Sequence, residues 1–478
     1  MNRNLFLLLS VIITLLGGCT LAPEYTRPAS PVPAGWPTGA AYNETKAAAS
    51  APIVSKLPWR EFFTEERLQK IIETALNNNR DLRLAALNVE KARALYGIQR
   101  AELLPAVSGT GSMIKQRVPA DLSVTGSPMT YEQYGVNVGI SSWEIDFFGR
   151  IRSLKDQALE EYLATDQARR SAQILLVSAV ANAYFTLAAD QENLKLVAST
   201  LETQETSYKL IGKRYDIGLA SELDLRRAQS QVDTARGDVA CYTQLAAQDE
   251  NVLNLLVGSH TPPELLPSDL GSVSPPKDIS PGLSSEVLLQ RPDVLAAEHQ
   301  LKAANANIGA ARAAFFPTIT LTTAIGTTSA DPTAIGSAGF GLSGLFKNGS
   351  GTWIFTPQIT IPIFDARTWS AYDVTKVERE ISVAQYEKAI QTAFREVADA
   401  LAVRGTVNQQ IAAQQSLVDA VAETYRLSNT RYTKGIDSYL SVLDAQRSLY
   451  AAQQGLISLH LFRFANLVTL YKVLGGGA

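Results

Sequence analysis

Cysteine, histidine and methionine are scarce in this chain: 2 Cys, 3 His and 3 Met are spread over 478 residues. Two cysteines are too few for a disulfide framework, and so few thiol, thioether and imidazole ligands exclude a zinc cluster or a methionine-lined copper path within one protomer. The three histidines, His260, His299 and His460, also lack the spacing of a metal site. We therefore expect no metal and no bound cofactor.

An excess of positive charge is also missing. The chain has 43 Lys and Arg against 46 Asp and Glu, which gives a formal net charge of -3. Proteins that bind nucleic acids need a basic surface to neutralise phosphates, so DNA and RNA are not expected partners. The sequence also lacks a glycine-rich phosphate loop that ends in Lys-Ser or Lys-Thr. Without such a loop, ATP or a proton gradient must act through a partner, and we do not expect the protein to be an enzyme.

The N-terminus has the features of an export signal. Arg3 precedes the apolar run Leu5 to Leu16, which is long enough for a signal peptide but shorter than the roughly 20 residues of a transmembrane helix. The run ends in Leu16-Gly17-Gly18-Cys19, which resembles a bacterial lipobox. We therefore predict a signal peptide over residues 1–18 and a covalent lipid on Cys19, the new first residue. An ordinary signal peptide that happens to contain a cysteine is the alternative. Thr20, in place of an Asp, favours delivery to the outer membrane.

Proline divides the rest of the chain. Residues 19–60 are rich in proline and predict a lipidated, extended arm, and a second proline-rich stretch predicts a linker over residues 261–283. The runs from Met129 to Thr261 and from Ile363 to Ala478 lack proline and favour long helices. Cys241 lies in such an apolar, amide-rich helical stretch, so we expect a buried and unreactive thiol.

The two halves of the sequence repeat each other. A displacement of 217 positions pairs Arg214-Tyr215 with Arg431-Tyr432 and Gly218 with Gly435, and one of 212 positions pairs Gly97 with Gly309. This pattern predicts an internal duplication. The first repeat covers residues 61–260 and the second covers residues 284–478. Each is expected to contain a helix, two strands and a long helical hairpin whose tip lies at Gly218 or Gly435.

Four segments have the alternation of β-strands. Trp353 to Phe364 and Tyr134 to Ile140 alternate clearly, whereas Ala106 to Lys115 and Thr318 to Thr328 are weaker. Strands of about 10 residues with one apolar and one small, polar face suit a tilted transmembrane barrel. A soluble β-sandwich is the alternative, but the export signal favours the barrel.

Four strands cannot close a barrel alone. Two protomers would give eight strands around a filled interior, whereas three would give twelve strands around an open lumen. A homotrimer is therefore the simplest conducting assembly. The long helices carry charged and amide residues and no apolar stretch of spanning length, so we expect them to continue the barrel into the periplasm as a helical tunnel.

Several motifs resemble the outer-membrane factor family, the outer membrane efflux proteins of tripartite efflux pumps, and best match its TolC-like, NodT-type lipoprotein branch. They are Leu288-Leu289-Gln290-Arg291-Pro292-Asp293, Ala313-Ala314-Phe315-Phe316-Pro317 and Leu443-Asp444-Ala445-Gln446-Arg447. The resemblance implies a mixed α/β membrane protein, a trimer in which a 12-stranded outer-membrane β-barrel sits on a 12-helix periplasmic α-barrel. It also implies outer-membrane lipid, a periplasmic adaptor (membrane fusion) protein and an inner-membrane transporter of the RND type as partners.

The resemblance also implies an entrance that is closed near the second hairpin tip by Tyr432, Leu440, Asp444 and Arg447. Leu440, Asp444 and Arg447 are four and three residues apart, so they can share one face of a helix. Three copies would form an apolar ring beside an acidic ring, which would block water and attract cations. An ordinary solvated helix face with one Asp–Arg pair is the alternative.

The expected function is that of a passive outer-membrane exit duct for small molecules such as drugs, driven by the inner-membrane partner. A heavy-metal duct or a type I protein-secretion duct would have the same architecture. A lipoprotein that acts as a periplasmic spacer and does not conduct is the alternative from another class.

Overall fold

A computed structural model of the chain describes residues 20–42, 57–123, 126–279, 284–331 and 341–476. The first half contains helices α1 (Trp59–Phe62), α2 (Glu66–Asn78) and α3 (Arg80–Ala101), strands β1 (Val107–Val118) and β2 (Met129–Ile145), and helices α4 (Arg150–Asp216) and α5 (Glu222–Val257). The second half contains helix α6 (Pro292–Ala313), strands β3 (Thr318–Asp331) and β4 (Gly351–Thr360), and helices α7 (Ala366–Thr433) and α8 (Tyr439–Val473). The predicted mixed α/β class is confirmed.

From α3 and from α6 onward, the two halves have the same order of elements: one helix, two strands, a very long helix and a shorter helix. The very long helices α4 and α7 have 67 and 68 residues, and α5 and α8 have 36 and 35. The strands have 12, 17, 14 and 10 residues, so two of them clearly exceed the expected length of about 10. A duplication would produce this common order, but the duplication itself remains a prediction from the sequence.

The four strands form one antiparallel sheet in the order β1-β2-β3-β4. Val107 of β1 pairs with Ile140 of β2, and the register of β2 against β3 shifts between Ile140 and Trp143. Ser142 has a φ of 53° at this irregularity, where a bulge lengthens β2 and bends it. Within the described residues, β1 and β4 are the edge strands, and each has a neighbour on one side only.

Large apolar side chains of the sheet are exposed. Every residue of β4 is exposed, and Trp353 is 80% exposed. A water-soluble antiparallel sheet buries at least one apolar face. The β-sandwich alternative therefore does not fit, because the described residues form a single four-stranded sheet.

The chain divides into two compact units. Unit 1 comprises Met1–Pro28, Glu90–Ala164 and Glu298–Ala384 and contains the sheet. Unit 2 comprises Ala29–Val89, Thr165–Ala297 and Gln385–Ala478 and contains both helical turns. The boundaries of these units do not coincide with those of the predicted arm, repeats and linker. The units are defined by compactness, whereas the predicted boundaries are defined by sequence similarity and composition, so the latter stay predictions.

The described parts of the proline-rich segments lack long helices and strands, and in unit 2 they pack against α7. The Ala41 carbonyl lies so close to Gly405 that a methyl group at Gly405 would collide with it. At the preceding residue, Arg404 donates hydrogen bonds to the Ile279 carbonyl and to Asp278, the latter at 2.9 Å between Nη2 and Oδ2. Two segments far apart in sequence therefore bind adjacent residues of α7.

Two expectations about the helices were wrong. Helix α4 does contain an 18-residue window that is apolar enough to span a membrane, but 61% of that window is buried within the chain. Val180, Ala181, Tyr184 and Phe185 are among its fully buried residues, so packing explains the apolar run. Cys241 is exposed. The apolar and amide residues around Cys241 predicted that it would be buried. Ala240 and Gln244, on the same face of α5, are exposed as well.

A pair of carboxyl groups lies between α4 and α5. Burial and the adjacent Asp190 carboxyl raise the pKa of Asp249 from its usual value of 3.8 to about 7. The folded-state pKa thus exceeds the unfolded-state pKa. The stabilising contribution of Asp249 is therefore complete below about pH 4 and is lost as the pH rises through about 7.

We expect Asp249→Asn to stabilise the folded protein at pH 8, because it removes a charge that is partly desolvated and faces another acid. At pH 5 the difference from the unchanged protein should be much smaller, because Asp249 is then protonated. Thermal unfolding of the detergent-solubilised protein, followed by circular dichroism at both pH values, measures this. Glu250→Gln, on the neighbouring residue, is the control. An equal effect of Asp249→Asn at both pH values would contradict the assignment.

Candidate functional site

The two long helical hairpins of unit 2 turn at the predicted glycines. Gly218 has a φ of 77° and Gly435 a φ of 73°, a left-handed conformation that glycine adopts without steric cost. In the first turn, the Leu219 amide donates to the Arg214 carbonyl (N to O, 2.7 Å), and in the second the Ile436 amide donates to the Arg431 carbonyl (2.9 Å). These bonds satisfy the last carbonyls of α4 and α7, so both turns end their helices in the same way.

An apolar core holds the two turns together. Its buried members are Ile211, Ala228, Tyr439, Val442 and Leu443, and its partly buried members are Tyr208, Ala220, Leu225, Tyr425 and Tyr432. Burial raises the pKa of Tyr439 to about 12. Because residues of all four helices take part, each protomer has its own packed tip.

The structure brings only some of the predicted gate residues onto one surface. Leu440 is 46% exposed, and the side chains of Asp444 and Arg447 are 76% and 61% exposed. An Asp444 oxygen lies 3.5 Å from an Arg447 nitrogen, three residues along α8. Tyr432 instead packs into the tip core, with its ring 5.2 Å from that of Tyr439. The assignment of these four residues to a gate remains a prediction.

Sequence reasoning missed a further acid at the second turn. Asp437 accepts hydrogen bonds from the Ser438 amide (2.9 Å) and the Ser441 hydroxyl (3.1 Å), and it pairs with Arg431 (Nε to Oδ2, 3.2 Å). These partners, the Ser438 amide first, lower the pKa of Asp437. Asp437 and Ser438 stand just before α8, and acids and serines are favoured at the start of a helix. This position could have identified Asp437 from the sequence.

The turns also carry exposed apolar side chains. Ile217, Leu219 and Leu223 at the first turn and Ile436 at the second are all more than half exposed. Apolar groups this exposed at the end of a helical hairpin form a surface suited to contact with another protein. The tip thus combines a packed interior with an apolar end.

The first described residues of the N-terminal arm, 20–28, lie along the part of α6 that belongs to unit 1. Arg312 donates to the Leu21 carbonyl (3.1 Å) and Asn305 donates to the Pro23 carbonyl (2.7 Å). Arg27 forms an ion pair with Glu298, in which Arg27 Nη2 lies 3.0 Å from Oε1 and 2.8 Å from Oε2. The Glu298 side chain is only 3% exposed. The arm therefore runs antiparallel to α6, and its N-terminal end lies near the sheet.

The buried Glu298 carboxylate holds the arm. Burial alone raises the pKa of a carboxylate, but hydrogen bonds and charge from Arg27 and Lys302 outweigh it and lower the pKa of Glu298. At Gly309, a Cβ atom would stand 2.8 Å from the Ala22 nitrogen, so only glycine leaves room for the arm there. The predicted lipid-bearing residue, Cys19, lies outside the described residues.

The sequence profile of the family described as "Outer membrane efflux protein" matches residues 71–259 and 283–476. The chain belongs to this family. Its members are transport channels rather than enzymes, so the chain is an outer membrane efflux channel protein.

Individual relatives agree with this assignment. The antibiotic efflux pump outer membrane protein ArpC of Pseudomonas putida is 50% identical over 98% of this chain and 95% of its own length. The toluene efflux pump outer membrane protein TtgC, also of P. putida, has the same identity and coverage. Among solved structures, the open state of the MtrE outer membrane channel of Neisseria gonorrhoeae is 36% identical, has a TM-score of 0.83, and aligns over 96% of this chain and 98% of its own.

Leu440 and Leu443, both in the first turns of α8, are expected to respond differently to truncation. Leu443→Ala should destabilise the packed tip by about 2–5 kcal/mol, because it leaves a cavity in an apolar core. Leu440→Ala should change it by no more than about 0.5 kcal/mol, because that side chain is half in solvent. Amide hydrogen exchange of tip peptides measures both. Equal protection in the two variants would show that Leu443 is not part of the tip core.

Proposed function

We propose that three copies of this chain form a continuous duct, a 12-stranded barrel in the outer membrane followed by a 12-helix barrel in the periplasm. The observation that carries the proposal is the open sheet, whose edge strands β1 and β4 lack partners within the described residues. In lipid, unpaired backbone groups are costly, so the edges need strands from other copies. Three sheets of four strands are enough to surround an open lumen.

Exposed helices beside the sheet support the same assembly. None of the 22 residues of α3 is buried, and its apolar residues Leu95 and Ile98 face solvent in the single chain. Near the start of α7, Val374 and Val377 are likewise exposed. Because α3 leads into β1 and α7 follows β4, pairing β1 with β4 of the next copy brings these two apolar helix faces close together. Their contact would bury both.

The duct itself is passive and works with partners. The exposed apolar residues at the turns offer a docking surface for a periplasmic adaptor protein, and an inner-membrane transporter of the RND type supplies the energy. Since the relatives ArpC and TtgC are named for antibiotic and toluene efflux, we infer that this chain also exports small organic molecules. Heavy-metal or protein export uses the same architecture, and transport assays with each class of substrate distinguish them.

The tips are where the duct closes. On α8, Leu440 and Asp444 lie one helical turn apart, and both are exposed in the single chain. Three copies around the axis would place an apolar ring beside an acidic ring. The apolar ring resists wetting, and the acidic ring concentrates cations at the entrance.

We expect Asp444→Ala and Leu440→Ser each to raise the resting conductance of trimers in planar bilayers. The first removes an acidic ring and should also reduce cation preference, and the second makes the constriction easier to wet. Asp233→Ala is a matched control, because Asp233 and Arg236 on α5 form an exposed pair with the same spacing and the same 3.5 Å distance.

Assembly is checked in the same samples by sedimentation in detergent. If both variants form normal trimers with unchanged conductance and selectivity, the gate lies elsewhere. Folded monomers would contradict the shared barrel. Wild-type and variant trimers that never conduct would favour the periplasmic spacer.

We also propose that a lipid on Cys19 anchors the chain in the outer membrane. Arg312, which binds the Leu21 carbonyl, lies next to the end of α6, shortly before β3 begins at Thr318. Two residues of chain reach at most about 7 Å, so a lipid on Cys19 would start near the same end of the sheet. The anchor and the barrel would then enter the membrane from the same side.

Cys19→Ala should abolish acylation and impair delivery to the outer membrane, although the barrel can still insert. Mass spectrometry of the mature N-terminal peptide measures the lipid, and membrane fractionation measures delivery. Cys241→Ala is the control, because it removes the other thiol. An N-terminal peptide with no lipid mass in the unchanged protein would contradict the anchor.

A further inference from the structure

The two hairpin turns carry the same Arg-Tyr pair but use it differently. Arg214 and Tyr215 precede the first turn, and Arg431 and Tyr432 occupy the equivalent positions before the second. In the second turn, Arg431 pairs with Asp437 of its own hairpin (Nε to Oδ2, 3.2 Å). That ion pair stays within one hairpin and does not link it to the other.

The first turn lacks an acid at the position equivalent to Asp437. That position is occupied by Ala220, which packs against the tip core. Arg214 reaches across to the second hairpin instead, where its Cζ atom lies 5.1 Å from the centre of the Tyr432 ring. Tyr215, the equivalent of Tyr432, is among the exposed large side chains.

The contact between Arg214 and Tyr432 has the geometry of a cation–π interaction, which acts within about 6 Å of the ring centre. A guanidinium is well suited to it, because it is planar and always charged. The Tyr432 ring is itself held in place, because it packs beside Tyr439 in the tip core. A small shift of α7 relative to α4 would break this contact.

We propose that Arg214 is a positioning residue that latches the second hairpin to the first at Tyr432 and so stabilises the closed tip. The alanine at position 220 is part of the device, because an acid there would hold Arg214 within its own hairpin, as Asp437 holds Arg431. This inference rests on the proposed duct and adds to it the residue that ties the two hairpins of one protomer together.

The test supplies the missing acid and leaves both partners of the latch in place. Ala220→Asp should draw Arg214 away from Tyr432, speed amide hydrogen exchange in the second-turn peptide, and raise resting conductance about two- to fivefold per latch lost. Ala220→Asn is the matched control, with nearly the same size and no charge. If Ala220→Asn has the same effects as Ala220→Asp, the cause is disturbed packing and the latch is refuted.

Removal of the guanidinium gives an independent check. Arg214→Gln should reproduce both effects, and Ala220→Asp should add nothing further in that background, because no arginine remains to be captured. Lys213→Gln, the neighbouring exposed cation, should leave exchange and conductance unchanged. Additive effects of the two changes, or unchanged exchange in Arg214→Gln, would overturn the latch.

Hydrogen exchange separates this inference from the proposed function. If every variant and the unchanged protein fail to conduct, the duct is wrong, but exchange at the second turn still reports on the latch. If the unchanged protein conducts and exchange at the second turn does not respond to Arg214→Gln, the duct stands and the latch fails.

Discussion

A sheet in lipid must not leave the backbone groups of its edge strands unpaired, and much of this structure follows from that constraint. The described part of one protomer contributes four strands with β1 and β4 at the edges, which is too few for closure. The exposure of β4 and of α3, which would destabilise an isolated soluble protein, is expected for a part of a larger closed wall. Assembly and membrane insertion are therefore inseparable from folding in the proposed trimer.

The two halves of the chain have the same order of elements, yet equivalent positions have different partners. Gly309 on α6 is glycine because the arm residue Ala22 approaches it closely, whereas a Cβ atom at the equivalent Gly97 on α3 would meet no other atom within 4 Å. Likewise, Arg431 is held by an acid in its own hairpin and Arg214 contacts the other hairpin. The arm of the same chain thus covers Gly309 on α6, whereas the equivalent Gly97 on α3 stays uncovered. In the proposed trimer, that uncovered position is available for contact with a neighbouring protomer.

Features with a short-range signal could be predicted from the sequence, and features that depend on distant contacts could not. Alternation identified β2 and β4, and the glycines Gly218 and Gly435 marked the turns, because period and left-handed φ are local properties. The partial burial of Tyr432 and the exposure of Cys241 depend on which face of a long helix meets its neighbours, which composition does not reveal. The ion pair of Arg27 with Glu298 joins residues 271 positions apart, and no local pattern points to it.

The tip combines strong contacts within each protomer with weaker contacts on its surface, and this contrast suits a duct that must open without unfolding. Leu443 and its buried neighbours form an apolar core that all four helices share. The pairs Asp444–Arg447 and Arg431–Asp437 lie on the surface, where solvent and salt screen their attraction and they contribute little. Each pair lies within a single hairpin, so a partner that docks at the tip in the proposed duct could displace these side chains at little cost. A movement small enough to leave this core packed could still break the surface pairs and the contact of Arg214 with Tyr432, so the tip of the proposed duct could close again when the partner leaves.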